Sequence, residues 1–205
     1  MRVAVIPARG ESKRLPQKNT LPFMGKPILA YSIETARASG LFEEVWVSTE
    51  SEEIGAIAES LGAKRHRRPA VLSQDHVGTP EVMCAVVRDL CAAGRRIDYV
   101  CCIYATAPLM LPADLVRGYN ALMSKPEAPY AYSCALKPQR ERDLRWDAGQ
   151  WYFGLTDSFV MGIPLDADDV IKVIIPQERV CDINTLEDFH RAEKLYERMQ
   201  QQTKR

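Results

Sequence analysis

A chain of 205 residues, 46% of them hydrophobic, holds enough apolar material for one compact core and little for a second, so residues 1–205 are expected to form a single domain. Lysine plus arginine number 27 and aspartate plus glutamate also 27, which leaves no global field to recruit nucleic acid or an anionic membrane. Any basic site must be local, and the six cysteines, with no Cys-x-x-Cys pair and no histidine at metal-ligand spacing, read as buried or idle thiols.

The apolar run Val3 to Ile6 predicts a first strand, and its stop at Pro7 makes it far shorter than a signal-peptide core or a membrane span, so a cytoplasmic protein is expected. A long polar loop follows to Asn19. Pro27 as a first-turn proline and Gly40 as a C-terminal stop bound a helix from Ile28 to Ser39. Val45 to Ser48 predicts the next strand, and Ile54, Ile57, Ala58 and Leu61 give a helix its apolar face. Met83, Val86, Val87 and Leu90 repeat that spacing ahead of a strand from Tyr99 to Tyr104, and Leu115, Gly118, Tyr119 and Leu122 repeat it after. A strand around Ala131 and another from Val170 to Ile175 precede a last helix whose apolar face is Leu186, Phe189, Ala192, Leu195 and Met199, with Gln200 to Arg205 as a solvated tail. Strands alternating with helices predict a three-layer α/β/α domain with a mainly parallel sheet. Ligands collect beyond the carboxyl ends of such strands, so the loops after Ile6, Ser48 and Tyr104 are the places for chemistry.

The first of these loops, IPARGESKRLPQKN, carries Arg9, Lys13, Arg14 and Lys18 beside Gly10 and Ser12. Cations, a hydroxyl and flexible backbone suit a triphosphate, although charge alone fits a solvated surface loop as well. Neither G-x-G-x-x-G nor G-x-x-x-x-G-K-[ST] occurs here, which speaks against a dinucleotide-binding fingerprint and a P-loop.

Pro7-Ala8-Arg9, Ser12-Lys13 and Lys18-Asn19 stand at the spacing PAR-x-x-SK-x-x-x-x-KN, a pattern that resembles the acylneuraminate cytidylyltransferase family. GKPILAYSIE, VSTE, RRPAVLSQD and YATAPL resemble its successive blocks, and DAGQWYFG its pseudaminic-acid-activating branch, so the resemblance covers most of the chain. It implies the Rossmann-like nucleotide-diphospho-sugar transferase fold. It also implies an enzyme that moves CMP from CTP to the anomeric hydroxyl of a nine-carbon keto sugar acid, pseudaminic acid foremost, in surface-glycan precursor synthesis. Its partners would be CTP and the sugar acid, with Mg2+ as cofactor and no nucleic acid or membrane. By the same resemblance Arg9, Lys18 and Asp182 are catalytic, and Ala8, Gly10, Ser12 and Asn19 join Arg9 and Lys18 around CTP. Arg68, Gly78 and Thr79 would lie near the nucleoside, while Tyr104, Thr106 and Gln150 would meet the sugar. Thr79 with Pro80 reads equally as a helix N-cap, and Tyr104 as core.

Relatives carry Asp-Ile-Asp-Thr before the last helix, as metal ligands; here the segment is Asp182-Ile183-Asn184-Thr185. Residues 182 and 184 of an extended segment face one side, so Asp182 and Asn184 can share one hydrated ion, with the second carboxylate lost and metal dependence reduced or altered. Thr185 and Asp188 read also as a capping box. Between Ala131 and DAGQ the chain is shorter than its relatives, and Trp146 replaces a histidine common before DAGQ. In the family that segment covers the sugar and serves a homodimer interface, so the short form weakens both expectations. Lys137, Arg140, Arg142 and Arg145 could meet a sugar carboxylate or form a solvated loop. Asn184 and the short middle fit, besides the enzyme, a catalytically impaired nucleotide- or sugar-binding relative, and the acceptor could equally be an N-acylneuraminate or a legionaminate.

Overall fold

The computed structural model describes residues 1–136, 145–165 and 167–203. The chain enters through β1 (Arg2–Pro7) and, after the basic loop, a small hairpin of β2 (Pro22–Phe23) and β3 (Lys26–Pro27), then α1 (Ile28–Ala38). There follow β4 (Glu44–Thr49), α2 (Glu52–Ser60), β5 (Lys64–Arg67), α3 (Thr79–Ala92), β6 (Tyr99–Ile103) and α4 (Pro112–Ser124). The second half comprises β7 (Tyr130–Leu136), β8 (Arg145–Leu155), α5 (Thr156–Val160), β9 (Ile171–Ile174) and α6 (Leu186–Thr203).

One sheet runs in the order β5-β4-β1-β6-β8-β7-β9. Its first four strands are parallel, β8 is antiparallel to both β6 and β7, and β9 is parallel to β7. The expected three-layer arrangement is present. Ala4, Ile6, Val47 and Ile103 face α1, α2 and α4 through Leu29, Ile33, Ile54 and Leu115, whereas Val3, Val5 and Cys102 face α3 through Met83, Val86 and Val87. A third cluster packs Phe189 and Ala192 of α6 against Leu15, Phe23, Ile28 and Ile183, which anchors the basic loop to the last helix.

Several expectations are corrected. Pro27 ends β3 and occupies the cap position of α1 rather than its first turn, while Gly40, with φ +65°, does end the helix in the left-handed region open to glycine. Gln200 to Thr203 continue α6 rather than forming a tail, and Leu186 is exposed, off the apolar face that Phe189 and Ala192 carry. The five strands read from the sequence are all present, the four with stated bounds within a residue at each end and the one around Ala131 as β7, but β5 (KRHR), which was not read, has only His66 buried and shows no apolar alternation. The segment 137–144 lies outside the described residues and so does the side chain of Arg145, so the proposed carboxylate contacts of Lys137, Arg140, Arg142 and Arg145 fall there too.

Close packing fixes one helix position tightly. A Cβ on Gly118 of α4 would come within 2.4 Å of the Trp151 ring, which is fully buried in β8. Ser133 of β7 accepts from the backbone N–H groups of Gln150 and Trp151, both at 3.3 Å, filling the bulge in the β7–β8 ladder.

Candidate active site

From β1 the chain passes on one face of the sheet to β4, and it arrives at β6 after α3 on the opposite face. The loops after β1 and β6 therefore part, and a cleft opens beyond the carboxyl ends of the strands. A cavity of about 300 Å³ lies there. Arg9, Ser12, Arg14, Lys18 and Asn19 line it from the first loop, Arg68, residues 72–75 and residues 77–79 from the segment after β5, and Tyr104, Ala105 and Thr106 from the loop after β6.

The cations are held in different ways. Arg9 donates from Nη1 to Asp75 Oδ1 at 2.7 Å, and Lys13 also pairs with Asp75, so one carboxylate occupies two cations at the cavity mouth and is held below the usual carboxylate range by them. Lys18 donates to the backbone carbonyl of Ile183 at 2.8 Å; burial lowers its ammonium pKa, partly offset by the charge of Asp182. Arg68 is only 7% exposed, and burial likewise lowers its pKa. It donates to the Ser48 carbonyl at 2.6 Å and to Ser48 Oγ at 3.2 Å, and among the described residues no carboxylate is hydrogen-bonded to it, although the charge of Glu50 acts on it. A buried guanidinium without a bonded counter-ion is a site prepared for an anion or an oxygen-rich ligand.

Two further residues shape the loop. Asn19 donates to the Arg9 carbonyl at 2.8 Å. Glu50, just after β4, accepts from the Gly10 backbone N–H at 2.6 Å and from Ser73 at 2.7 Å; desolvation works against its charge, but these bonds outweigh it and hold its carboxyl low. Glu50 thus clasps both walls of the cavity. The Gly10 N–H is accordingly committed to Glu50, and Ala8 is buried with its N–H on the Ser48 carbonyl, so both support the loop rather than line the cavity. Arg14, one of the four loop cations read from the sequence, does line the cavity, whereas Glu50 and Asp75 were not singled out as site residues: carboxylates within a basic site carry no compositional signal.

Of the nucleoside and sugar candidates, Gly78 and Thr79 line the cavity, but the helix cap is Gly78 and not Thr79. Burial is the main cause that pushes the Tyr104 hydroxyl upward, and the neighbouring Thr79 side chain works in the opposite direction. Tyr104 and Thr106 face the same space. Gln150 does not; it is 3% exposed, its amide nitrogen donates to the Arg179 carbonyl at 2.6 Å, and its amide oxygen has no partner among the described residues.

At the acidic segment Ile183 is fully buried while Asp182 is exposed and Asn184 partly so, the alternation expected of an extended strand. Asn184 donates to Asp182 Oδ2 at 2.6 Å, which places the two side chains together. Thr185 and Asp188 exchange the reciprocal bonds of a capping box, at 3.2 and 3.0 Å, so cap and site share the segment. The Asp147 carboxyl is pushed up chiefly by desolvation, with the charge of Asp182 adding to it. Among the described residues no three His, Cys, Asp or Glu side chains converge as a metal cage. One carboxylate with an amide oxygen fits a magnesium ion that keeps water and takes phosphate oxygens for the rest of its shell.

Comparison with known proteins agrees with this geometry. The family described as Cytidylyltransferase matches residues 3–204. A pseudaminic acid cytidylyltransferase of Campylobacter jejuni is 34% identical over 226 residues, with 95% of each chain covered. That alignment is longer than the 205 residues here, so the relative carries residues that this chain lacks. A CMP-N,N'-diacetyllegionaminic acid synthase of Legionella pneumophila is 38% identical over 55% of this chain and 49% of its own. The structure of a CMP:2-keto-3-deoxy-manno-octonic acid synthetase complexed with CTP superposes with a TM-score of 0.73 at 18% identity, over 97% of this chain and 99% of that one, which shows the shared fold.

Proposed function

The chain belongs to the cytidylyltransferase family, whose members are nucleotidyltransferases, and from that premise we propose that it transfers CMP from CTP to a nine-carbon keto sugar acid, pseudaminic acid before N-acylneuraminate or legionaminate. The observation that carries the reading is the convergence of Arg9, Arg14, Lys18 and Arg68 on one cavity at the switch point of the sheet. In the proposed reaction the anomeric oxygen of the acceptor forms a bond to the α-phosphorus of CTP as the bond to the bridging oxygen breaks; pyrophosphate leaves with that electron pair, and the hydroxyl proton passes to solvent.

Arg9 and Lys18 neutralise charge growing on the phosphates, and such fixed cations act most strongly where water is excluded, as around the half-buried Lys18. Arg68, Asn19, Gly78 and Thr79 hold the nucleoside, and Tyr104 with Thr106 faces the acceptor. Asp182 and Asn184 would hold a magnesium ion, which supplies charge neutralisation on the triphosphate when bound. No protein nucleophile enters the scheme; burial pushes the Cys102 thiol up to about 12 and Cys101 well above its usual range, which keeps both inert. With CTP as co-substrate the reaction belongs in the cytoplasm, and among the described residues no helix is long and apolar enough to cross a membrane. The exposed Leu136, Trp146 and Ile174 at one end of β7, β8 and β9 offer the apolar surface for a homodimer.

Pyrophosphate release from CTP, measured with a panel of nonulosonic acids, tests the reading. Release with pseudaminic acid and a product mass equal to its CMP adduct supports it. CTP binding without turnover on any acceptor would replace it with a catalytically impaired binding protein.

A further inference from the structure

Resting on the CTP reading of the cavity, we infer that His66 is a positioning residue for nucleotide binding: it holds the Ser48 hydroxyl in the orientation that aims Arg68 into the cavity. Ser48 and His66 are register partners on β4 and β5, so their side chains stand together on one face of the sheet. His66 is 8% exposed and Ser48 not at all. His66 Nδ1 lies 3.1 Å from Ser48 Oγ, and its Nε2 lies 3.0 Å from Asp89 Oδ2 on α3.

The proton positions follow from what each group is able to do. Arg68 Nε has only a hydrogen to give, so Ser48 Oγ accepts from it at 3.2 Å. The Ser48 hydroxyl hydrogen then needs an acceptor in a fully buried place, and among the described residues His66 Nδ1 stands in reach of it. That requires the tautomer protonated on Nε2, and the Asp89 carboxylate selects it by accepting that N–H. The chain Arg68 to Ser48 to His66 to Asp89 thus runs donor to acceptor without a break. It fixes the Nε edge of the guanidinium, the Ser48 carbonyl fixes Nη2 at 2.6 Å, and Nη1 makes no hydrogen bond among the described residues. Arg68 lines the cavity, so this remaining corner is what a nucleotide would meet. His66 itself does not line the cavity and touches no substrate; it acts through Ser48 and Arg68.

Side-chain replacements separate this role from simple core packing. Asparagine places its carbonyl oxygen near the position of Nδ1 and keeps the acceptor, whereas glutamine places its amide near Nε2 and loses it. Calorimetric titration with CTP is the measurement, accompanied by thermal unfolding of each variant. His66→Gln is expected to weaken CTP binding about fivefold, the effect of one neutral hydrogen bond, and His66→Asn to bind like the parent. In an Arg68→Met background His66→Gln should have no further effect, since the group it positions is gone. Should His66→Gln fold poorly, Ser48→Ala removes the same relay with a single atom and is expected to give the same fivefold loss. Parent-like CTP affinity in His66→Gln or Ser48→Ala, equal losses in the Asn and Gln variants, or additive losses with Arg68→Met would overturn the positioning role while leaving the CTP site standing. A parent protein that binds no CTP would overturn the site reading itself, and the positioning role with it.

Discussion

Replacing Arg9 by alanine removes a cation from the cavity wall while leaving its backbone carbonyl, which Asn19 holds, in place. A hydrogen bond to a charged group is worth about 1.5–3 kcal/mol, which corresponds to roughly 10- to 150-fold in affinity. Arg9 must release Asp75, its 2.7 Å partner, to take a phosphate, so part of that energy is already spent in the free protein. The lower part of the range applies, and CTP affinity should fall about ten- to fiftyfold. Arg9 is partly exposed and belongs to no core cluster, so its loss should change stability by about 0.5 kcal/mol or less, a shift of roughly 1–2 °C in Tm for a chain of this size. Titration calorimetry with CTP and a thermal scan on the same sample measure both quantities. A folded Arg9→Ala protein with parent CTP affinity would refute a phosphate role for the first loop.

Asn184→Asp should tighten manganese or magnesium binding, measured by direct titration, by about tenfold, the screening at an exposed site lowering the larger value expected of a buried charge; unchanged ion affinity counts against a metal at this segment. Asp75→Asn frees Arg9 and Lys13 and should lower the Kd for CTP several-fold, whereas a higher Kd would mean that Asp75 contacts the ligand. Gly118→Ala forces a methyl against the buried Trp151 ring at 2.4 Å, and overpacking of about 3 kcal/mol less the ~1 kcal/mol gained in helix propensity should lower Tm by roughly 4–8 °C. A Tm at or above the parent value would show that the ring yields.

Much of the architecture is legible because apolar periodicity reports burial directly: α2, α3 and α4 each announce the face they bury. β5 is not, since KRHR pairs with β4 by backbone and what it buries is His66 and the side chain of Arg65, neither of which reads as apolar. The antiparallel β8 escapes for the opposite reason, as Trp151, Tyr152 and Phe153 are all buried and show no alternation. At the site, the basic loop is visible as charge in an unusual place. The roles of Glu50 and Asp75 are not, because a carboxylate that braces or blocks a cation looks in sequence like any surface acid. Thr79 shows a finer limit: a threonine followed by proline reads as a cap, yet Gly78 takes that position and Thr79 begins the helix at the cavity wall.

The bond from Lys18 to the Ile183 carbonyl joins residues 165 positions apart. During synthesis the basic loop emerges early, but the oxygen that steadies its lysine, and the helix packed beneath it, are made far later. A growing chain therefore has no finished cradle until α6 docks, and a polypeptide that stops before that segment lacks both the oxygen that steadies Lys18 and the packing that anchors its loop.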